Sequence, residues 1–250
     1  ATLEAKDDIP QNVYCKVMLM GDSMMEGLGP NFHKKWGNHC GLQFVLLAKH
    51  STGLTCPNGF HWPSRLRAQL DRYKPDVLIV FMGANDAMPV KLGDGKCIHF
   101  NQPGWKDAYK AKIREIVNIA NEYNCATLWF GLPIYGSNHA KMLYTVEKTQ
   151  EEGCKEMGIP YVNNHNVLAD ANGNFQTFGT NANGRYTRLR TSDREHMTYD
   201  GDMMLILNSE PIFIDWFKKF AKNHKDRRLT PEQVPQFKKS PLKDPLRGRP

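Results

Sequence analysis

Lys16-Val17-Met18-Leu19-Met20-Gly21-Asp22-Ser23 is a short apolar run that stops at a glycine, an acid and a hydroxyl. Five residues, apolar apart from the leading lysine, match a buried β-strand, and Gly21-Asp22-Ser23 makes a turn ahead of a helix-compatible stretch. Working outward, the same strand, loop and helix rhythm recurs. Leu42 to Ala48 is a second apolar run, followed by a polar, glycine-bearing loop from His50 to Phe60. Trp62-Pro63 opens a helix that Lys74-Pro75 ends. Asp76 to Met82 (DVLIVFM) is the clearest strand, apolar on both faces as a central parallel strand is, and it runs into Gly83-Ala84-Asn85-Asp86. Beyond a long loop, Trp105 to Tyr123 is an amphipathic helix, Ala126 to Leu132 a strand, Lys141 to Met157 a helix and Tyr161 to Asn163 a short strand.

Strands alternating with helices predict a three-layer α/β/α domain around a mainly parallel sheet of about five strands. Asp170 to Tyr186 breaks that rhythm with Asn172-Gly173-Asn174 and Asn183-Gly184-Arg185, the pattern of a hairpin or loop excursion. Asp200 to Asn223 reads as a closing helix that Pro211 kinks or splits. The chain is thereby divided into residues 1–224, the α/β domain, and residues 225–250, a basic, proline-containing tail read as mobile or as an extended arm.

Charge follows that division. The formal net charge is +7, and the tail carries eight Lys or Arg against three Asp or Glu, so the body is close to neutral. Basic residues are not interleaved with aromatics across the body, which argues against nucleic-acid binding. The tail is left as the part able to meet an anionic polymer or surface. No apolar run approaches the roughly 18–20 residues of a membrane-spanning helix. The six cysteines form no C-x-x-C pair and no Cys/His zinc spacing, so neither a metal nor another cofactor is called for. Cys125, heading a strand, and Cys154, on a helix, read as buried thiols, and the spacing leaves disulfide pairing open. A first residue Ala1 in place of Met fits removal of a signal peptide as well as a trimmed chain, and export to a periplasm or the exterior is the expectation.

In an open parallel sheet, ligands bind beyond the carboxyl ends of the strands. Three loops at such ends carry Gly21-Asp22-Ser23, Ser51-Thr52-Gly53 and Gly83-Ala84-Asn85-Asp86, and Asp193-Arg194-Glu195-His196 precedes the closing helix. Read singly, Ser23 or Asp22 would be helix caps, Gly83 and Asn85 turn formers, and His196 one surface histidine among nine.

Taken together and in this order, G-D-S, a loop glycine, G-x-N-D and a late D-x-x-H resemble the four sequence blocks of the SGNH (GDSL-like) hydrolases, from Lys16 to about Phe220. The resemblance implies a flavodoxin-like SGNH fold and a triad of Ser23 as nucleophile, His196 as base and Asp193 as the carboxylate that orients it. It implies an oxyanion hole of the Ser23 and Gly53 backbone N–H groups and the Asn85 amide. Gly59 is the alternative loop glycine, and Gly53 is preferred because it lies nearer the strand end. Many relatives place a glycine and an apolar residue between Asp and His, whereas this chain has Arg194-Glu195, a second carboxylate beside the imidazole. Asp86 reads as structural.

The resembling enzymes hydrolyse acetyl groups on polysaccharides and peptidoglycan, lipid esters and thioesters, and some transfer acyl groups to sugars. A near-neutral body without an obvious apolar lid points to a small acyl group, an O-acetyl ester, on a carbohydrate or cell-envelope glycan. The alternatives are a carbohydrate O-acyltransferase using the same triad, and a noncatalytic glycan-binding or scaffold module.

Overall fold

The computed structural model describes residues 9–248. Ala1, on which the export expectation rests, and the last two residues of the tail lie outside the described residues.

In chain order the elements are β1 (Cys15–Gly21), α1 (Ser23–Trp36), β2 (Leu42–Ala48), α2 (Trp62–Tyr73), β3 (Val77–Phe81), β4 (Val90–Lys91), β5 (Cys97–Ile98), α3 (Trp105–Glu122), β6 (Ala126–Phe130), α4 (Ala140–Glu156), β7 (Tyr161–Val162), β8 (Phe178–Thr180), β9 (Tyr186–Arg188), α5 (Tyr199–Asn223) and β10 (Leu242–Lys243). Six of the strands form one sheet in the order β10-β2-β1-β3-β6-β7, with every pairing parallel. All five residues of β3 are buried, because this strand has neighbours on both edges and helices over both faces. Helix α1 packs with α5, and α3 packs with both α2 and α4, giving the two outer layers. The hydrophobic stripes of α3 (Tyr109, Ile113, Ile116, Val117, Ala120) and α5 (Leu205, Ile206, Phe213, Phe217) are buried, which is why these segments hold as helices.

The chain leaves β1 for β2 on one side and crosses back to β3 on the other, so the strand order reverses at β1. A crevice is created where loops part in opposite directions, and the Gly21-Asp22-Ser23 turn opens into it.

The strand count is revised, and the structure bears on two readings that the sequence leaves open. The sheet has six strands rather than five, because the tail supplies β10, whose Leu242 and Lys243 pair with Phe44 and Val45 on the outer edge of β2. Residues 225–248 run as an arm along the body, tied down by Arg227 to Asp76, by the Tyr14 N–H to Arg227 O at 2.8 Å, and by the buried Leu246. Pro211 does not split α5, which runs unbroken from Tyr199 to Asn223: apolar residues on both sides of it, Leu205, Ile206, Phe213 and Phe217, are buried, and that burial outweighs the one missing hydrogen bond. The long loop after β3 contains the small antiparallel β4–β5 hairpin, whose turn holds Asp94-Gly95 with Gly95 at φ +86°. The excursion between β7 and α5 forms the β8–β9 hairpin.

All six cysteines are unpaired thiols, with Cys15, Cys125 and Cys154 buried. Among the described residues no helix is long and apolar enough to cross a membrane.

Candidate active site

Ser23 is the first residue of α1, directly after β1. The turn is tight because Gly21 lies against β3: a Cβ at that position would fall inside 3.0 Å of the Phe81 carbonyl. Asp22, not Ser23, caps the helix, with its Oδ1 accepting from the Met24 N–H at 2.9 Å. Its Oδ2 accepts from the N–H groups of Gly83 at 2.9 Å and Ala84 at 3.1 Å. One buried carboxylate thus ties the Ser23 turn to the loop carrying Asn85. Burial pushes the Asp22 carboxyl up to about 7, against the pull of the Gly83, Met24 and Ala84 N–H groups.

Relieved of capping, the Ser23 hydroxyl meets His196, with Oγ 2.7 Å from Nε2. The other ring nitrogen, Nδ1, lies 2.5 Å from Asp193 Oδ2. Asp193 Oδ1 accepts from the Thr191 hydroxyl at 2.6 Å and from the N–H groups of Glu195 and His196 at 2.9 and 3.0 Å. Desolvation raises the Asp193 carboxyl, but these donors and the imidazole outweigh it and hold the group well below the usual carboxylate range. It therefore stays ionised beside the ring.

The turn carrying this pair is fastened from behind. Arg190 is fully buried; its Nη1 donates to Ile134 O at 2.5 Å and its Nη2 to Glu195 O at 2.7 Å. The guanidinium lies over the rings of Tyr135 and Phe175. Arg194 adopts φ +62°, the left-handed conformation that glycine takes readily, and its carbonyl accepts from the Gly136 N–H at 3.0 Å. An arginine here keeps the turn a glycine would make. Glu195 directs its carboxylate to His139, 3.5 Å from that ring's Nδ1, and leaves the His196 ring to Asp193.

On the far side of Ser23, Asn85 Nδ2 donates to Thr52 O at 2.9 Å, which fixes the amide and leaves its second hydrogen for another acceptor. Gly53 is the next residue and is buried, whereas Gly59 is exposed at φ +72° with open space around it. Asp86 does not face Ser23 but organises the Gly53 loop: it accepts from Leu54 N, Thr55 N, Thr55 Oγ1 and Tyr109 OH at 2.7–3.1 Å. Burial raises its carboxyl against those donors. Among the described residues neither the Ser23 nor the Gly53 N–H has an acceptor.

The structure thus gathers Ser23, His196 and Asp193 into one hydrogen-bonded line, with Asn85 and Gly53 in loops at the same sheet edge. Thr191 and Arg190 are contributors that sequence patterning did not single out, and Thr52 entered only as the neighbour of Gly53 in the Ser51-Thr52-Gly53 loop. Arg190 and Thr191 flank the D-x-x-H block closely, which is the only signal they carry.

A three-layer α/β/α arrangement around a parallel sheet is the fold shared with GDSL-like hydrolases, and the Ser23, His196 and Asp193 line stands at its switch point. The chain belongs to the family described as Protein of unknown function (DUF459), whose sequence profile matches residues 16–211. No curated protein sequence matches the chain. Solved structures are similar in fold. A GDSL-like lipase from Bacteroides thetaiotaomicron VPI-5482 is 15% identical with a TM-score of 0.55, covering 80% of this chain and 87% of the other. A lipase/acylhydrolase from Enterococcus faecalis is 14% identical with a TM-score of 0.57, covering 82% and 96%. An acetyl xylan esterase from Geobacillus stearothermophilus is 14% identical with a TM-score of 0.54, covering 78% and 93%.

Proposed function

We propose that this protein is a serine esterase that removes a small acyl group, an O-acetyl ester, from a carbohydrate or cell-envelope glycan. The observation that carries the reading is the line Ser23 Oγ, His196 Nε2 and Nδ1, Asp193 Oδ2, in which a base and its orienting carboxylate are already within hydrogen-bond reach of the hydroxyl.

In that reading Ser23 Oγ attacks the ester carbonyl while His196 Nε2 takes its proton, and ionised Asp193 stabilises the resulting imidazolium. The tetrahedral oxyanion is held by the Ser23 and Gly53 N–H groups and the free hydrogen of Asn85 Nδ2. His196 returns the proton to the departing alkoxide, leaving an acyl-Ser23 ester and a free alcohol. Water then attacks that ester with His196 again as base, releasing the carboxylic acid and restoring Ser23.

The small acyl group and polar carrier are supported by exposure. His196 and Asp193 have side-chain exposures of 37% and 47%, so the triad stands at an open surface and not under an apolar cover. Phe178 and Tyr186, side by side on the β8–β9 hairpin and both exposed, offer flat apolar faces of the kind sugar rings stack on. The same openness admits a sugar hydroxyl in place of water, the acyltransferase form of this chemistry. The exposed Lys238, Lys239, Lys243 and Arg247 of the arm would attract an anionic polymer or surface, an attraction that salt screens.

The test is acetate release from p-nitrophenyl acetate and from acetylated xylan, by the intact protein and by Ser23→Ala. Turnover abolished by the substitution is expected. Turnover that survives it overturns the nucleophile assignment, and acyl transfer to an added oligosaccharide in preference to water selects the transferase form.

A further inference from the structure

The loop after β6 also borders a hollow that does not include the triad residues. There a cavity of about 290 Å³ is bounded by Ile134 and Tyr135 of that loop, by Lys141, Tyr144 and Glu147 of α4, and by His165 beyond β7. That volume is near the lower end of the roughly 300–1,000 Å³ of small-molecule sites.

Its chemistry is unusual for an unused hollow. Glu147 is only 2% exposed; its Oε2 lies 2.8 Å from His165 Nδ1, and its Oε1 has no hydrogen-bond partner among the described residues. A carboxylate oxygen buried without a donor is costly and recurs where a ligand supplies the donor. Tyr144, one helical turn away, is 46% exposed, with its ring inclined at 60° to that of His165 at 5.1 Å and the Lys148 Nζ 5.5 Å from its centroid. The lining therefore offers an acceptor at Glu147, a donor at Lys141 and an aromatic face at Tyr144. An acyl chain would leave Glu147 unpaired, an anion would be repelled by it, and a simple cation would be opposed by Lys141. A neutral ring bearing adjacent hydroxyls satisfies all three groups.

The cavity also shares its wall with the triad turn. The Ile134 N–H donates to His165 O at 3.0 Å, Ile134 O accepts from Arg190, and Arg190 in turn holds the Glu195 carbonyl next to His196. We propose that this cavity is a subsite for one pyranose ring of the glycan whose ester reaches Ser23, an inference that rests on the carbohydrate reading above. Tyr144 stacks on the ring's C–H face, and the Glu147 carboxylate that lines the hollow accepts from a ring hydroxyl.

The experiment uses unesterified trisaccharides, which need no turnover: xylotriose, cellotriose and chitotriose, titrated into the intact protein and followed by saturation-transfer NMR. At least one is expected to bind, with affinity about tenfold weaker in Tyr144→Ala, the size of a lost aromatic contact. Glu147→Gln, its fold checked by circular dichroism, is expected to weaken binding as well. If no trisaccharide binds, or if Tyr144→Ala binds as the parent does, the subsite is overturned. Ser23-dependent turnover of p-nitrophenyl acetate without trisaccharide binding removes the subsite and keeps the esterase. Tyr144-dependent binding with turnover indifferent to Ser23→Ala does the reverse.

Discussion

The Asp86 carboxylate occupies the space that a side chain on Gly53 would need: a Cβ at residue 53 would fall inside 3.0 Å of Asp86 Oδ1. Glycine is fixed here by close approach of a buried, multiply bonded acid. Gly53→Ala is accordingly expected to push the 52–55 loop away from Asp86 and displace both the Gly53 N–H and the Thr52 carbonyl that holds Asn85. Steady-state kinetics on p-nitrophenyl acetate should show kcat reduced about a hundredfold or more, the cost of a lost oxyanion donor, with KM changed far less. A loss confined to KM would place Gly53 in ground-state binding instead.

Asp193→Asn tests the orienting role. The substituted side chain can still accept from Thr191, Glu195 N and His196 N through its oxygen, so the turn is expected to survive. Its NH2 would then face His196 Nδ1, forcing the proton onto Nε2, where Ser23 needs an acceptor. A fall in kcat/KM of about 10³–10⁴-fold is expected, with little change in melting temperature because Asp193 is exposed. Glu195→Gln is the companion measurement, and since that carboxylate faces His139 its activity should stay close to the parent's. A large loss in Glu195→Gln with a small one in Asp193→Asn would reverse the two assignments.

These site residues were readable in sequence because each sits at a strand end in a fixed order, Ser23 after Met20 and Asn85 after Met82, and strands such as Val77–Phe81 announce themselves by unbroken apolar character. Arg190 was not readable. A charged residue is expected at the surface, and only the packed arrangement, with Tyr135 and Phe175 around it and two carbonyls to accept from it, explains a guanidinium with no exposure. Strand β10 was equally hidden: Leu242 and Lys243 lie between prolines in a basic stretch, and their pairing is dictated by the open edge of β2, some two hundred residues away in sequence.

Asp202 makes stability depend on pH. It is 3% exposed on α5; one carboxylate oxygen accepts from Asn31 Nδ2 at 3.0 Å and the other, Oδ1, has no partner among the described residues. Burial pushes the group up to about 7 from 3.8, against the Asn31 hydrogen bond. Between those values the folded protein keeps a proton that the unfolded chain releases, so this group's contribution is fully present below about pH 4 and is lost as pH rises through about 7. Asp202→Asn, neutral at every pH, is expected to raise the melting temperature at pH 8.5 by roughly 5 °C and to have little effect near pH 4. Equal shifts at both pH values, measured by thermal unfolding, would mean the carboxyl is not the titrating group.

The arm supplies the last prediction. Residues 239–248 give β2 its only partner on the outer edge among the described residues and bury Ser240 and Leu246 against the body, with Ser240 N donating to Gly37 O at 3.0 Å and His33 Nε2 meeting Ser240 O. Ending the chain after Lys238 bares backbone groups of Phe44 and Val45 on a strand whose side chains are already buried, and an uncovered apolar edge invites pairing with another molecule. The truncated protein is expected to melt roughly 5 °C lower and to aggregate on warming. The Gly53 loop leaves β2 at Ala48, several residues beyond the β10 contact, so p-nitrophenyl acetate turnover well below the melting point should be retained. An unchanged melting temperature would show that the sixth strand adds nothing to the fold, and lost turnover at low temperature would show that the edge strand sets the position of the oxyanion loop.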